Sequence, residues 1–374
     1  MNARRRGVGI VLGTRPEMVK LAEVARLLGD DARIFHTGQH DDDAMSREMW
    51  RALAMPEPDK VLNVGGRSRA RQVADATSQL DEIFAVAPPA AVIVQGDSNA
   101  TLAGALAANA RHIPLVHVEA GLRSFDRTMP EEHNRVMVDH IADVLCAPSQ
   151  VNRENLRAEN ISDRRIEVTG NTVVEAVRSQ MPSAWSTLAC LDALGARTGD
   201  YVLATIHRPE NTDDVRALAM ILGQLGAVDA QVILPLHPRT MARVQGYGLG
   251  HLLEPLTVIE PLAPPQFLAL AAHSAALVSD SGGLQEECSV LKRPLLVVRR
   301  STERPEVIGT FAERTTPGPE ISQIVNEWLA NLAHIHHRLA SMPSPYGDGR
   351  ASARIVQIVL EIADLQSDPL PNAT

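Results

Sequence analysis

The feature that most constrains this chain is a repeated alternation of short apolar runs with longer amphipathic stretches. Short runs rich in Val and Ile suit buried strands, and the longer stretches suit helices packed on them. Such alternation is typical of βα units around a parallel sheet. The strands predicted for a first sheet are 8–12, 33–37, 91–95, 115–118, 144–147 and 166–168. Those predicted for a second sheet are 201–206, 232–236, 257–259, 276–279 and 294–298.

The two sets of strands predict two domains. The length agrees, because a chain of 374 residues is longer than a domain with a single hydrophobic core usually is. We predict an α/β fold with two doubly wound Rossmann-like domains, covering 1–172 and 173–351. Ligands of such sheets bind beyond the carboxyl ends of the strands, so a cleft between the domains is the expected site. The last amphipathic stretch, 350–365, follows a run of turn-forming residues and could pack on either domain.

Composition excludes several classes of function. The net charge of -9 disfavours a nucleic-acid partner, because such partners are bound by many Lys and Arg side chains. The three cysteines, Cys146, Cys190 and Cys288, are far apart and lack the paired spacing of a zinc site or a disulfide framework. The apolar run 8–12 is too short for a signal peptide or a membrane span. We therefore expect a cytoplasmic protein without a membrane partner.

Polar residues follow the predicted strands of the first domain. Arg15 and Lys20 come directly after the first strand and could share an anionic ligand, although they could equally be solvated charges. Asp97 is either a helix cap or a cleft carboxylate. Glu119 lies in the motif HVEAGLR, and a cap does not require His, Glu and Arg together. Glu131 lies in the first turn of a predicted helix, where the helix dipole favours a carboxylate.

Two histidines occupy equivalent places in the second domain. His207 ends the strand predicted over 201–206, and His237 repeats this arrangement one βα unit later. An unperturbed histidine has a pKa of about 6.5, which suits proton transfer near neutral pH. Both side chains are therefore candidates for acid–base chemistry or for binding an anion.

The segment SDSGGLQEE at 279–287 is the most informative part of the second domain. Gly282 and Gly283 at a helix start allow backbone N–H groups to approach a phosphate, whose charge the helix dipole favours. Glu286 or Glu287, one turn further on, could accept hydrogen bonds from ribose hydroxyls. The basic run 299–306 follows the next strand and could reach the same phosphate.

Other motifs are absent or incomplete. The glycines within 7–13 lie in a strand, whereas those of a dinucleotide-binding fingerprint follow it. His334, His336 and His337 lack the spacing and the carboxylate of a zinc-binding helix. The chain has no Walker loop, no nucleophile elbow and no kinase motif set. Simple hydrolase and kinase functions are therefore disfavoured.

Taken in order, the motifs of this chain resemble those of the non-hydrolysing UDP-N-acetylglucosamine 2-epimerases. The resemblance runs from about residue 8 to 365 and rests on GTRPE (13–17), TGQH (37–40), QGD (95–97), HVEAGLR (117–123), PEE (130–132), NR (134–135), GNT (170–172), HR (207–208), DSGG (280–283), QEE (285–287) and TERPE (302–306). It implies the glycosyltransferase-B architecture, in which a final helix, here about 352–366, returns to the first domain. It also implies a homodimer that uses neither a metal nor a nicotinamide cofactor.

The resemblance also implies a reaction and a set of site residues. The reaction is reversible epimerisation of UDP-N-acetylglucosamine at carbon 2, through elimination of UDP to 2-acetamidoglucal and its re-addition. The catalytic positions implied are Asp97, Glu119, Glu131, His207 and Lys20. The positions implied to bind the UDP-sugar are Arg15, His237, Ser281, Gly282, Gly283, Glu287 and Arg304.

The chain departs from the family pattern in two places. The loop after 302–306 is about two residues shorter than usual. Gln39, His40, Arg71 and Gln72 match part of a regulatory site of bacterial members, but 41–43 is Asp-Asp-Asp where those members have other polar residues. Three further hypotheses are a hydrolysing epimerase, an epimerase for another UDP-sugar and a glycosyltransferase of the same fold. A sensor that binds nucleotide sugars without turnover is the non-enzymatic alternative.

Overall fold

The chain forms two compact units in a computed structural model that describes residues 7–39 and 50–365. The first unit contains the described residues of Met1–Ala176 and Tyr346–Thr374, and the second unit is Val177–Pro345. The chain therefore passes from one unit to the other twice, after Ala176 and after Pro345.

The first unit is built on a parallel sheet. Its strands are β1 (Val8–Leu12), β2 (Ala32–His36), β3 (Lys60–Val61), β4 (Ala91–Gln95), β5 (Leu115–Val118), β6 (Val144–Ala147) and β7 (Ile166–Val168). Their order is β3-β2-β1-β4-β5-β6-β7, so the winding reverses between β1 and β4. Val8 at the start of β1 pairs with Ala32 on one side and Ala91 on the other.

The second unit repeats this topology. Its strands are β8 (Tyr201–Thr205), β9 (Gln231–Pro235), β10 (Thr257–Ile259), β11 (Ala276–Ser279), β12 (Leu295–Val298) and β13 (Ala312–Thr315). All described pairs are parallel, and the order β10-β9-β8-β11-β12-β13 reverses its winding between β8 and β11. The predicted α/β fold class, with two doubly wound Rossmann-like units, is confirmed.

Helices connect the strands of both units. They are α1 (Arg15–Leu28), α2 (Arg69–Val86), α3 (Asn99–Ala110), α4 (Pro130–Ile141), α5 (Gln150–Ala158), α6 (Val173–Gln180), α7 (Ala184–Ala193), α8 (Pro209–Thr212), α9 (Val215–Leu225), α10 (Pro238–Gly246), α11 (Pro264–His273), α12 (Gly282–Leu291), α13 (Glu320–Ala330), α14 (Leu332–Ser341) and α15 (Ala351–Leu365). Short 3-10 turns lie at Gly29–Asp31, Asp163–Arg165, Gly250–Leu253 and Pro305–Val307. Among these described helices, none is long and apolar enough to cross a membrane.

The final helix belongs to the first unit and packs against α1. Buried apolar residues of α1 recur every three or four positions, as on the core-facing side of an amphipathic helix, and include Leu21 and Leu28. Ile355 and Val359 of α15 lie in the same buried cluster. Apolar burial against α1 and the face of the sheet therefore accounts for the position of α15.

Two edge strands, β3 and β13, were not predicted from the sequence. Both residues of β3 are exposed, and β13 reads Ala-Glu-Arg-Thr with only Ala312 buried. An edge strand is held by backbone hydrogen bonds to one neighbouring strand, so it can form without an apolar pattern of its own. The predicted strands 33–37, 201–206, 232–236 and 294–298 were wrong by one residue at one or both ends.

Candidate functional site

Polar loops follow the two central strands at which each sheet reverses its winding. In the first unit these loops are 13–14 after β1 and 96–98 after β4. In the second unit they are 206–208 after β8 and 280–281 after β11. Ligands of doubly wound sheets bind at this point, outside the carboxyl ends of the strands. Each unit therefore carries one candidate ligand-binding edge, called here the first edge and the second edge.

Glu17 joins the two loops of the first edge. Its side chain is buried, and its Oε2 accepts hydrogen bonds from the backbone N–H groups of Gly13 and Thr14 at 2.8 and 2.7 Å. Its Oε1 accepts from the hydroxyls of Ser98 and Thr101 at 2.5 and 2.9 Å. Burial raises the pKa of Glu17, although these hydrogen bonds oppose the change. No role was predicted for Glu17, but the Thr-x-x-Glu spacing of a capping box was a signal for it.

Glu119 and Lys20 form a buried ion pair at the first edge. The side-chain amide of Gln95 donates to the other carboxylate oxygen of Glu119, and the Asn171 amide donates to Oε1 at 2.8 Å. The backbone of Glu119 has φ of 64°, a costly left-handed conformation for a residue other than glycine. Arg15 is exposed at the start of α1 and has no ion pair with any described residue. The structure thus places Lys20 against Glu119 and leaves Arg15 open to solvent.

Asp97 is held by the start of α4. The Arg135 side chain, only 2% exposed, donates to Asp97 Oδ2 through Nε at 3.1 Å and through Nη2. Arg135 Nη1 also donates to Glu132 at 2.8 Å, and the Asn134 amide donates to the Asp97 carbonyl at 2.8 Å. Glu132 is therefore a structural residue. Glu131 is exposed and has no hydrogen bond or ion pair with any described residue, so its carboxylate is accessible to a ligand.

Buried contacts among His117, Asp139 and Arg123 fix the loops after β4 and β5. His117 Nδ1 lies 2.6 Å from Asp139 Oδ1, and its Nε2 lies 2.8 Å from the Gly96 carbonyl, which it can only donate to. Arg123 Nη1 lies 2.8 Å from the other Asp139 oxygen. Burial raises the pKa of Asp139, but His117 and Arg123 together outweigh burial and hold this pKa below its ordinary value. The HVEAGLR motif therefore contains structural as well as candidate catalytic residues.

The predicted regulatory residues are only partly described. Gln72 accepts a hydrogen bond from the Asn99 amide at 2.7 Å, close to the loop that carries Asp97. Arg71 is exposed, and His40 lies outside the described residues. In the described part of the chain, no hydrogen bond joins Gln39 to Arg71 or Gln72. The regulatory role stays a prediction.

Asp280 organises the second edge. Its buried carboxylate accepts from the backbone N–H groups of His207 and Arg208, at 3.1 and 2.9 Å, and from the Asn211 amide at 3.0 Å. The His207 ring is half-exposed, and its Nδ1 lies 3.2 Å from Asp280. Burial lowers the pKa of His207 more than the Asp280 charge raises it, so the ring is neutral near pH 7. His237, after β9, is exposed and caps α10, its Nδ1 accepting from a backbone N–H at 3.2 Å.

Replacing Asp280 with asparagine should lower the free energy of unfolding by about 2–4 kcal/mol. The new NH₂ group would face N–H donors in a fully buried place, so that at least one donor would lose its acceptor. Urea denaturation of the wild-type and Asp280→Asn proteins measures the difference. Asp213→Asn removes a carboxylate from exposed ion pairs and should cost less than about 1 kcal/mol. If the two variants lose equal free energy of unfolding, the burial of Asp280 is not the cause of its loss.

The start of α12 presents its backbone N–H groups at the second edge. Ser281 precedes the helix, and its side chain makes no capping hydrogen bond. The first-turn N–H groups, including those of Gly282 and Gly283, have no acceptor within the helix, and the dipole favours an anion there. A Cβ atom at Gly282 would lie 3.0 Å from Arg304 Nη1, which leaves little room for a side chain. Glu287, one turn further on, is half-buried.

Arg304 lies in a chain of alternating charges beside this helix start. Its Nε donates to Glu286 at 2.8 Å, its Nη1 donates to Glu303, and Glu303 lies 3.1 Å from Arg299 Nη1. Arg304 is only 9% exposed. Its charge is therefore balanced by neighbouring carboxylates, and it fixes the loop 302–306 against α12.

The predicted residues that the structure describes lie in loops that follow strands or in the first turns of the helices after them, and other residues hold several of them in place. Those without a predicted role are Glu17, Gln95, His117, Arg135, Asn171, Asp280 and Glu303. Most of them act on residues far away in the sequence, so local spacing carried no signal for them. Within residues 7–39 and 50–365, no group of three or more His, Cys, Asp or Glu side chains could hold a metal ion.

Comparisons with known proteins agree over nearly the whole chain. The family model for UDP-N-acetylglucosamine 2-epimerase matches residues 25–360. The UDP-N-acetylglucosamine 2-epimerase of Methanococcus maripaludis is 36% identical over 94% of this chain and 98% of its own length. UDP-2,3-diacetamido-2,3-dideoxy-D-glucuronate 2-epimerase of Pseudomonas aeruginosa is 32% identical over 94% of this chain and 99% of its own. The crystal structure of Methanocaldococcus jannaschii UDP-GlcNAc 2-epimerase, in complex with UDP-GlcNAc and UDP, is 34% identical and matches with a TM-score of 0.82, covering 95% of this chain and 99% of that one. With the motifs, the topology and these matches in agreement, the chain belongs to the UDP-N-acetylglucosamine 2-epimerase family.

Proposed function

We propose that the protein interconverts UDP-N-acetylglucosamine and UDP-N-acetylmannosamine without consuming water. A base takes the proton from carbon 2 while the bond between carbon 1 and the diphosphate oxygen breaks, which yields UDP and 2-acetamidoglucal by anti elimination. A proton then adds to the opposite face of carbon 2, and UDP returns to carbon 1. The buried pair of Glu119 and Lys20, on the same sheet edge as Asp97, carries this proposal.

The first edge is proposed to handle the sugar. The proton on carbon 2 is weakly acidic, and breaking the bond at carbon 1 makes it easier to remove because positive charge develops on the ring. Carboxylates stabilise such an oxocarbenium-like state. Inversion needs a proton acceptor on one face and a donor on the other, and we assign these roles to Asp97 and Glu119. Asp97 Oδ2 accepts both hydrogen bonds from Arg135, which leaves Oδ1 for the substrate.

The second edge is proposed to bind UDP. The N–H groups at the start of α12 and the positive end of its dipole stabilise the charge on the leaving diphosphate. His207 Nδ1 lies 3.2 Å from Asp280, and we assign its Nε2 to the diphosphate, whose charge raises the pKa of His207. Glu287 accepts hydrogen bonds from the ribose. Arg304 supports the helix start through Glu286.

A second candidate substrate is a UDP-sugar with further substituents on the ring. The Pseudomonas aeruginosa relative is named for such a compound and is 32% identical to this chain. The reaction at carbon 2 would be the same. A panel of UDP-sugars therefore distinguishes the two candidates, since only the preferred substrate should reach equilibrium rapidly.

The reaction is tested by incubating the pure protein with UDP-N-acetylglucosamine in deuterium oxide. Both epimers should gain deuterium at carbon 2, because the proton removed exchanges with solvent before the second face is protonated. Proton NMR measures the loss of the carbon 2 signal and the ratio of epimers. Release of free N-acetylmannosamine and UDP would identify a hydrolysing enzyme instead. Unlabelled and unchanged substrate, across the whole panel, would refute the proposal.

A further inference from the structure

Asn171 is a buried amide whose orientation is determined by its neighbours. Its side-chain Oδ1 accepts a hydrogen bond from the backbone N–H of Val173 at 2.9 Å. Because a backbone N–H can only donate, the oxygen of the amide must face Val173. The amide nitrogen then faces Glu119, whose Oε1 lies 2.8 Å away. Asn171 is therefore a donor to the Glu119 carboxylate.

Asn171 also lies where both connections between the units meet the first unit. It precedes α6, the helix in which the chain first passes from one unit to the other. Its backbone N–H donates at 2.9 Å to the carbonyl of Tyr346, the first residue after the chain returns. The amide that contacts Glu119 is thus attached to the outgoing and the returning segments.

Glu119 has a backbone conformation that contacts with its neighbours must hold in place. Its left-handed backbone is costly and persists only where surrounding contacts hold it. Lys20 and Asn171 both contact Oε1, whereas Gln95 contacts Oε2. Of these three, Lys20 was predicted as catalytic, and Gln95 lies in the strand beside Glu119. Asn171 is the one of these three that brings a contact from the connecting segments.

We propose that Asn171 is a positioning residue for the reaction, one that orients the Glu119 carboxylate and links it to the two connections. This inference rests on the proposed function, because Glu119 acts there on carbon 2. Small errors in the orientation of a reacting group reduce turnover more than they reduce substrate binding. The loss should therefore fall on kcat and not on KM.

Two variants separate this role from the capping of α6. Asn171→Ser and Asn171→Asp both keep an oxygen for the Val173 N–H, since Ser and Asp are good caps. The serine removes the donor to Glu119, and the aspartate replaces it with a second carboxylate. We expect kcat to fall about 10-fold in the serine variant and about 100-fold or more in the aspartate variant, with KM within about threefold of wild type. Equal losses of kcat in the two variants, or none, would overturn the inference.

The matched control is Asn331→Ser in the second unit. Asn331 is exposed between α13 and α14, and its amide donates at 3.1 Å to the carbonyl of Glu327 in the last turn of α13. Its replacement should leave kcat and KM unchanged. A loss of kcat in this variant equal to that in Asn171→Ser would show that Asn-to-Ser replacement acts without regard to Glu119, and would overturn the inference.

An NMR measurement tests the contact without relying on turnover. In protein labelled with ¹⁵N at asparagine, the side-chain signal of Asn171 is identified by its absence from the Asn171→Ser variant. That signal should move when Glu119 is replaced by glutamine and stay in place when the exposed Asp81 is replaced by asparagine. An unmoved signal in Glu119→Gln would overturn the inference. If the wild-type protein turns over no UDP-sugar, the proposed function fails, while this measurement still decides the role of Asn171.

Discussion

Replacing Asp97 with asparagine should lower kcat by about 10²- to 10⁴-fold and leave the affinity for UDP within about threefold of wild type. Asparagine cannot take a proton from carbon 2, but its carbonyl oxygen can still accept hydrogen bonds from Arg135. UDP is assigned to the second edge, which the change does not touch. Kinetics of epimer formation by NMR and calorimetric titration with UDP measure the two quantities.

The matched control for this prediction is Asp81→Asn. Asp81 is a surface carboxylate that pairs with Arg111 at 2.5 Å, and exposed pairs contribute little to stability. Its replacement should leave kcat unchanged. Wild-type turnover in Asp97→Asn would remove Asp97 from the mechanism and leave Glu131 as the carboxylate to test. A parallel loss of UDP affinity would show that the change disturbs more than the proton transfer.

Replacing Gly121 with alanine should lower the free energy of unfolding by about 3–5 kcal/mol. The residue has φ of 82°, and an added Cβ would lie 2.4 Å from the backbone carbonyl oxygen of Asn152 in α5. Backbone atoms of a packed helix cannot move aside as a flexible side chain can. Gly121 also donates its N–H to Asp139 at 3.1 Å, so the loop after β5 should shift. Urea denaturation measures the loss of stability.

Gly195→Ala separates the two causes of that loss. Gly195 has φ of 60°, but an added Cβ would meet no atom within 4 Å. This variant should therefore lose only the conformational cost, about 1–2 kcal/mol. If the two variants lose equal amounts, the close approach to Asn152 is not the cause, and the position of α5 against the loop would need another account.

Much of the fold could be predicted from the sequence because buried parallel strands are short apolar runs. Every predicted strand is present, with bounds within one residue. The loops after the central strands also stood out, since β1, β4, β8 and β11 are each followed within two residues by a polar residue, namely Thr14, Asp97, His207 and Asp280. The edge strands β3 and β13 could not be predicted in this way, because they are exposed and are defined by pairing with β2 and β12.

The candidate site was harder to predict than the fold. Motifs indicated Asp97, Glu119 and Glu131. They did not show that Asp97 accepts hydrogen bonds from a buried arginine, whereas Glu131 is exposed to solvent. The two carboxylates at the start of α4 look alike in sequence. Only their contacts show that Glu132 is tied to the loop before the helix, through the Ser124 backbone at 3.0 Å.

The sequence by itself determined which residues form strands and helices and which loops are polar, because apolar periodicity and capping act over a few residues. The tertiary structure alone decided which polar residues meet. Lys20 contacts Glu119 across 99 residues, and Asn171 contacts it across 52. These pairs depend on the order of strands in the sheet and on the two connections between units. A buried charge needs a partner, but nothing in local spacing says where along the chain that partner lies.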